Sequence, residues 1–345
     1  MNKTLDFIRK HNGLIIAVIL IIISWGVVIA LCGESPLETI GIIIKGAFKN
    51  EDKISSGLSK IFIYFFAAMA FSVPAWTGMN NVGADGQLIF GGFVAALVPL
   101  VIKTGSSFIN IFLCLFFAVI AGGLWALWPG ILKEKYNVNE IVTTLLSAYI
   151  IQNFCEYMAA FPLRTEGSQI SRMAFVPDNF KLPAIPGTMI SSSLIFVIVA
   201  LILVEIFRKK SVPGYCFRMT GENLFFAKQG GINTSKVRIL SMFIGGGFAG
   251  LAGGLVTLTI SYTYQVGFSA NYGMLGMLVA LICANMPVLI LIISWLFCIL
   301  FVGAINVQVF TSIPSEITGV FQSLMVFFVV AKDALTIKSK GGERK

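Results

Sequence analysis

Long apolar runs separated by short polar segments dominate the chain. The run Leu14–Leu31, LIIAVILIIISWGVVIAL, would be about 27 Å long as a helix, which is enough to cross the hydrocarbon core of a bilayer. Comparable runs recur to the C-terminus. The pattern predicts an all-α integral membrane protein with about ten transmembrane helices, near 14–31, 61–76, 88–102, 108–128, 141–159, 189–207, 239–260, 273–284, 287–305 and 317–331.

Composition agrees with this class of protein. Of the 345 residues, 57% are hydrophobic and 12% are charged, so the chain has more apolar surface than one soluble core can bury. The basic residues before the first run and the length of that run indicate an uncleaved first helix. A single transmembrane domain is expected over 1–345, with this helix at 14–31.

The basic residues predict the orientation. Lys and Arg collect in cytoplasmic loops, and 17 of the 25 lie in four segments, 1–13, 129–140, 208–238 and 332–345. Both termini are therefore expected in the cytoplasm, and 32–60 and 160–188 outside. The net charge of +9 favours contact with anionic membrane lipid; no nucleic-acid-reading motif accompanies it.

Catalytic and metal-binding chemistry has little support in the sequence. The six cysteines lack CxxC spacing, and the single histidine, His11, lies in the basic N-terminal arm. No paired carboxylates, nucleophile with a base, or metal cluster is visible. We therefore predict that the chain is not an enzyme and has no cofactor or metal.

The stretch GMNNVGADGQLIFGG, residues 78–92, is unusually polar for its surroundings. Non-helical chain at membrane depth is tolerated only where it is buried in protein or lines a watery cavity. We predict a kinked, partly non-helical pathway wall, with Asn80, Asn81 and Gln87 as solute contacts and Asp85 holding the bend by accepting backbone N–H groups. A solvated cytoplasmic turn is the alternative.

Two further features stand out. The segment Cys283–Val288 interrupts apolar sequence with Asn285 and Pro287, a second break of the kind found near transporter pathways, and Asn285 joins the candidate pathway residues. Gly246, Gly250 and Gly254 recur every four residues, as expected for a close helix-packing face. On that basis Gly250→Ala should be mild and Gly250→Leu disruptive.

The segment 208–238 is the longest predicted cytoplasmic loop and should form a short helix across the membrane face, near Glu222–Gln229. It is either an interfacial linker or a lever moved by a cytoplasmic motor. Its pattern resembles the coupling segment of ABC importer permeases of the ribose, branched-chain amino acid and nucleoside group, through Gly214, Tyr215, Arg218, Gly221, Glu222, Asn223, Ala227, Lys228, Gly231, Ile232 and Asn233.

Other stretches resemble the same family in the same order. They are NNVGADGQLIFGG, NVNEIVTTLLSAYI at 137–150, and IPSEITGVFQSLMVFFV at 313–329, which is similar to the nucleoside (guanosine-type) branch. The resemblance covers 61–331. Leu224, Phe225 and Phe226 depart from the family pattern, which usually has Pro and smaller residues there.

The resemblance implies a set of partners. These are a cytoplasmic ABC ATPase, a second permease chain, identical or homologous, and an external or periplasmic solute-binding protein, in a bacterial-type cell membrane. No G-x-x-x-x-G-K-[ST] motif occurs in the chain, so ATP hydrolysis is expected from the ATPase partner. The coupling role would fall on Arg218, Gly221, Glu222, Asn223, Ala227, Lys228 and Gly231.

Three functions remain open at this point. A nucleoside permease is favoured, because amide side chains and few intramembrane charges suit an uncharged, hydroxyl-rich solute. A monosaccharide (ribose-type) ABC permease suits the same chemistry. An ion-coupled secondary transporter would need a titratable relay or cation site in the spans, for which Asp85 alone gives thin support.

Overall fold

The structure is a computed structural model, and it describes residues 16, 19–48, 51–188, 190–311, 319–321, 323, 324, 327 and 328. Over these residues the regular elements are helices, apart from two isolated bridges, Arg172 with Gln265 and Ala184 with Ser191. The all-α prediction is confirmed. His11 and most of the predicted span 317–331 lie outside the described residues.

Thirteen α-helices are described. Their bounds are α1 Ile19–Leu31, α2 Pro36–Phe48, α3 Glu51–Leu58, α4 Ile61–Ala75, α5 Ala84–Val101, α6 Ser107–Tyr136, α7 Glu140–Ala160, α8 Ser193–Lys210, α9 Val212–Glu222, α10 Leu224–Gln229, α11 Thr234–Val256, α12 Tyr272–Ile282 and α13 Pro287–Phe310. A π-turn at Thr257–Ser261 extends α11. Each predicted span between 61 and 305 corresponds to one helix.

Within the described residues, three helices are both long and apolar enough to cross a bilayer: α5, α6, and α11 with its π-turn. A fourth would be α1 with the start of α2, taken as one broken span across a bend of 105°. Ile61–Ala75, Tyr272–Ile282 and Pro287–Ile299 are apolar but shorter. The count of ten spans and the side of the termini stay predictions.

The chain divides into two compact units, residues 58–295 and residues 1–57 with 296–345. The first holds the regions discussed below. The second has a small core of Ile29, Val307 and Phe321, where the Trp25 indole N–H donates to the Phe321 carbonyl at 3.2 Å.

Helix α11 is the centre of the larger unit and packs against α4, α5 and α6. Small residues make this possible, because a Cβ on Gly246 or Gly250 would overlap a backbone carbonyl oxygen of α6, and one on Gly253 would overlap that of Leu88 in α5. The predicted glycine packing face is confirmed. The geometry argues against the expectation that Gly250→Ala is mild, since even a methyl group there meets backbone that cannot rotate away.

In the long connection between α7 and α8, the described residues 161–188 and 190–192 form no α-helix, in agreement with its prolines. It contains one short 3₁₀ turn, Asp178–Phe180, and it is held by backbone hydrogen bonds to the segment after α11. Met173 N–H donates to the Tyr264 carbonyl at 2.9 Å, and Leu182 N–H donates to the Leu258 carbonyl at 3.1 Å.

Candidate functional site

The polar stretch at 78–92 folds as a reversal of the chain followed by a helix. After α4 ends at Ala75, residues 76–83 are non-helical, and α5 begins only at Ala84. The Asn81 amide donates to the Ala70 carbonyl at 3.1 Å, about 7.5 Å back from the end of α4. The chain therefore returns alongside α4 before α5 starts, and the expected non-helical backbone is present.

Asn81 and Gln87 form a closed pair. Both are fully buried, and each side-chain amide donates to the carbonyl oxygen of the other, at 2.8 and 2.9 Å. This pairing satisfies polar groups that would otherwise be costly to bury. In this conformation neither side chain is open to a solute, so the pair holds the start of α5 against the reversal.

Asp85 lies where two helices begin. It occupies the first turn of α5, and its carboxylate accepts hydrogen bonds from the Gly273 backbone N–H at 2.7 Å and the Ser269 hydroxyl at 2.6 Å. Gly273 is the second residue of α12. A carboxylate at a helix N-terminus interacts favourably with the helix dipole, so the Asp85 carboxylate stabilises the starts of both α5 and α12. As predicted, it accepts a hydrogen bond from a backbone N–H, that of Gly273.

Asn80 belongs to a charged cluster at the ends of α6, α7 and α11. Its side chain hydrogen-bonds Glu140, which also pairs with Lys133 at 3.0 Å. Burial opposes ionisation of the Glu140 carboxyl, but hydrogen bonds from its own backbone, Lys133 and Asn80 outweigh burial and lower its pKa. A second ion pair joins Arg238 to Glu134 at 2.7 Å.

The same cluster touches the chain reversal. Arg238 donates to the Gly78 carbonyl at 3.3 Å, and the Thr77 and Ser241 hydroxyls are 2.8 Å apart. The N-terminal end of α11 is therefore bonded directly to the turn that precedes α5.

Asn285, the fifth predicted pathway residue, is brought next to this turn by the fold. Ala284 and Asn285 both have left-handed backbone (φ 46° and 58°) in the break between α12 and α13. The Asn285 side chain accepts from the Ser72 hydroxyl at 3.1 Å, and its carbonyl accepts from the Trp76 indole at 3.0 Å. Both predicted breaks thus meet at the end of α4.

Sequence reasoning missed a polar face on α7. Tyr149, Gln152, Asn153 and Glu156 are spaced three and four residues apart, so they lie on one side of the helix; Tyr149 is 57% exposed, and none of the other three is buried. By contrast, the exposed side chains of α8 as far as Ile206 are Ile, Val and Leu. The helical spacing of these four residues could have predicted the face from the sequence, but they lie within a largely apolar predicted span.

This face lies alongside a span. Helix α7 packs closely on α5, since a Cβ on Gly86 would overlap Ala148. A polar, aromatic face at that position is unfavourable against lipid and is typical of a watery cavity or a protein contact.

The predicted coupling segment contains two helices rather than one. Ser211 caps α9 and Asn223 caps α10, each accepting a hydrogen bond from a backbone N–H inside the helix. Helix α10 spans Leu224–Gln229, close to the expected Glu222–Gln229, while α9 was not predicted. Arg218, Gly221, Glu222, Asn223, Lys228 and Gly231 are exposed, whereas Ala227 is buried.

Helix α9 contacts the chain reversal. A Cβ on Gly221 would overlap the Trp76 carbonyl, so the C-terminal end of α9 lies directly on the 76–78 turn. The exposed surface of α10 is aromatic, with Phe225 and Phe226 72% and 63% exposed. A displacement of α9–α10 would therefore press on the 76–78 turn through backbone contact.

Known proteins resemble this chain over most of its length. The guanosine ABC transporter permease protein NupP of Bacillus subtilis is 27% identical over 336 residues, covering 95% of this chain and 96% of that protein. The nucleoside permease NupB of Lactococcus lactis is 25% identical, covering 96% and 92%. The glucose permease TsgB13 of Haloferax volcanii is 24% identical, covering 89% and 84%.

No solved structure matches the chain significantly. Residues 53–330 match the family described as the permease component of branched-chain amino acid transport systems, and this stretch includes the chain reversal, the α7 face and the coupling segment. The chain therefore belongs to this family of ABC transporter permease components and is a transport subunit of a cell membrane.

Proposed function

We propose that the protein is the membrane subunit of an ABC importer for nucleosides, and that the polar face of α7 lines the solute pathway. The observation that carries the proposal is this face, formed by Tyr149, Gln152, Asn153 and Glu156. Amide and carboxylate groups can replace water around ribose hydroxyls and base N–H groups, and a tyrosine ring can stack on a base.

Similarity to the guanosine and nucleoside permeases supports the same solute class. A monosaccharide, the solute named for the Haloferax relative, would use the hydrogen-bonding groups of the α7 face but would leave its aromatic ring without a planar partner.

The pathway residues predicted from the sequence receive a different role in this proposal. The start of α5 and the break after α12 are held in place by Asn81, Gln87, Asp85 and Asn285. Asn80 connects this region to the charged cluster. They would transmit movement to the pathway rather than contact the solute.

The partners follow from the family. An ABC importer permease works with an ATPase and a solute-binding protein, and we propose that the ATPase docks on α10 at Phe225 and Phe226, beside Arg218, Glu222 and Lys228. A second permease chain, identical or related, would complete the pathway. Because Ala227 is buried, a charged substitution there would disturb folding as well as coupling. Phe225 is exposed and is therefore the better position for testing coupling.

Uptake of labelled guanosine into proteoliposomes containing the complete complex tests the solute class. We expect inosine to compete and ribose and glucose not to compete. Competition by ribose at the concentration at which inosine competes would replace the nucleoside assignment by the monosaccharide one.

Single variants test the pathway assignment. Asn153→Ala should reduce guanosine uptake with the complex still assembled, because it removes a polar group from the proposed wall. Ile150→Ala is the matched control, since Ile150, like Asn153, is exposed on α7 but is apolar. Equal uptake by the two variants would contradict an α7 wall.

Coupling is tested separately by Phe225→Glu. We expect normal insertion and solute binding by the complex, with solute-stimulated ATP hydrolysis lost. Full stimulation in that variant would place the ATPase contact elsewhere.

A further inference from the structure

A groove of about 810 Å³ lies along α6, and its lining includes no residue of the α7 face. Its walls come from α6, the start of α8, Leu251 of α11 and the connection before α8. The α6 wall is aromatic, with Phe108, Phe112 and Phe116 exposed by 80%, 56% and 46%.

The groove is polar at one end only. Its polar lining residues are Ser107, Asp178, Lys181 and Ser192, and the two serines mark where α6 and α8 begin. From Ser107 the α6 wall continues through Ile111 and Leu115 to Val119, about 18 Å along the helix axis. A ligand that fits this shape has a polar end and a long apolar tail.

The polar end carries one charge of each sign. Lys181 Nζ lies 2.6 Å from an Asp178 carboxylate oxygen and 4.9 Å from the centre of the Tyr262 ring. The Asp178 carboxylate is 94% exposed and the Lys181 side chain 36%, so both charges remain accessible. The Lys181 ammonium also lowers the pKa of Asp178, which keeps that carboxylate ionised.

We propose that this groove binds one membrane phospholipid with a zwitterionic headgroup, such as phosphatidylethanolamine. Its acyl chain lies against the aromatic wall of α6, its phosphate is bound by Lys181, and its ammonium group is held by Asp178. A helix of another protein would cover the ion pair with apolar surface and desolvate it at a cost. A zwitterionic headgroup instead offers each charge an opposite one.

Lipid retention by the full chain tests the proposal independently of what the protein transports. The protein is placed in nanodiscs of equal parts phosphatidylethanolamine and phosphatidylglycerol, extracted into mild detergent, and examined by native mass spectrometry. We expect the wild type to retain one phosphatidylethanolamine in preference to phosphatidylglycerol. Absence of a retained phospholipid would overturn the proposal.

Ile111→Trp should block the groove, and Ile109→Trp is its control on an exposed position of α6 outside the lining. Retention should fall at least about tenfold in the first variant only, since losing the burial of about two methylene groups is enough for that change. Equal retention by both variants would contradict the site. A change of oligomeric state without lipid loss would make the groove a protein interface and likewise overturn the proposal.

The headgroup contacts are tested on the exposed connection, away from helix packing. Lys181→Gln should release the lipid, while Asp178→Asn should keep a lipid but lose the preference for phosphatidylethanolamine. Unchanged retention in Lys181→Gln together with unchanged preference in Asp178→Asn would remove the headgroup assignment.

Discussion

Replacing Gly250 by alanine tests the central helix packing with the smallest possible change. A Cβ there would overlap the Ala118 carbonyl oxygen and lie 3.0 Å from the Ala118 carbonyl carbon and 3.2 Å from the Gly122 Cα. All three atoms are backbone of α6. Relief therefore requires α6 and α11 to move apart along their whole contact.

A neighbouring glycine on α11 provides the control. At Gly247 an added Cβ would lie 3.2 Å from the Val119 Cγ1 and 3.7 Å from the Val119 carbonyl oxygen, so the one tight contact is with a side chain. Both alanine variants gain the same intrinsic helix propensity, about 1 kcal/mol, which cancels in their comparison. What remains is the cost of overpacking against fixed backbone, and we expect about 2 kcal/mol, within the range for overfilled cores.

The assay is the apparent Tm in detergent at one scan rate, because unfolding of a membrane protein is usually irreversible. Gly250→Ala should melt roughly 4–8 °C below Gly247→Ala, with lower yield of the assembled complex. If the two variants melt within about 1 °C of each other, α6 and α11 are not held by backbone contact at this glycine, and the packing argument fails.

Three further predictions concern the chain reversal. Gln87→Leu should cost about 1–3 kcal/mol, because the buried Asn81 side-chain oxygen loses the hydrogen bond that it accepts from Gln87. The double variant Asn81→Leu with Gln87→Leu should cost less than the sum of the single variants in thermal melts; additive costs would exclude the pair. Asp85→Ala should lower the free energy of unfolding by about 1–2 kcal/mol, which is seen as a lower Tm, and Asp85→Asn should lower Tm less. Solute preference should be unchanged in both variants; an altered preference would make Asp85 a solute contact. The pKa of Glu140 is lowered in the folded protein, so its contribution to stability is fully present above the unfolded pKa and is lost as pH falls through the folded pKa. Melts carried from neutral pH to about pH 3, below the ordinary glutamate pKa, should therefore show a weaker acid dependence for Glu140→Gln than for the wild type. An unchanged acid dependence would contradict the assignment.

The sequence predicted the helices well, because apolar length decides where a chain can cross a bilayer. Predicted spans 61–76 and 287–305 begin at the observed residues. The start of α5 was placed at 88 instead of Ala84, since ADGQ looked too polar for a helix end. In the structure, Gln87 hydrogen-bonds Asn81 and the Asp85 carboxylate accepts from the Gly273 backbone N–H. Gly273 is far from Asp85 in the sequence, and only the fold brings the two together.

Functional residues were harder to predict for the same physical reason. In a membrane sequence, an amide side chain suggests a solute contact when its hydrogen-bond partner is unknown. The structure pairs Gln87 with Asn81. The α7 face was detectable from the spacing of 149, 152, 153 and 156. Helix α9 was also detectable, since Ser211 before Pro213 is a common helix-start signal.

The returning segment 79–83 also fixes the rotational setting of α5. A residue added or removed between Asn81 and Ala84 would take Asn81 out of register with Gln87, so their hydrogen bonds could not form while Gly91 and Gly92 stay packed on α11. The length of this short piece of coil is therefore as constrained as any core residue. The exposed turn at Glu166–Gly167 in the connection between α7 and α8 holds no helix in register, so it can vary in length at much lower cost.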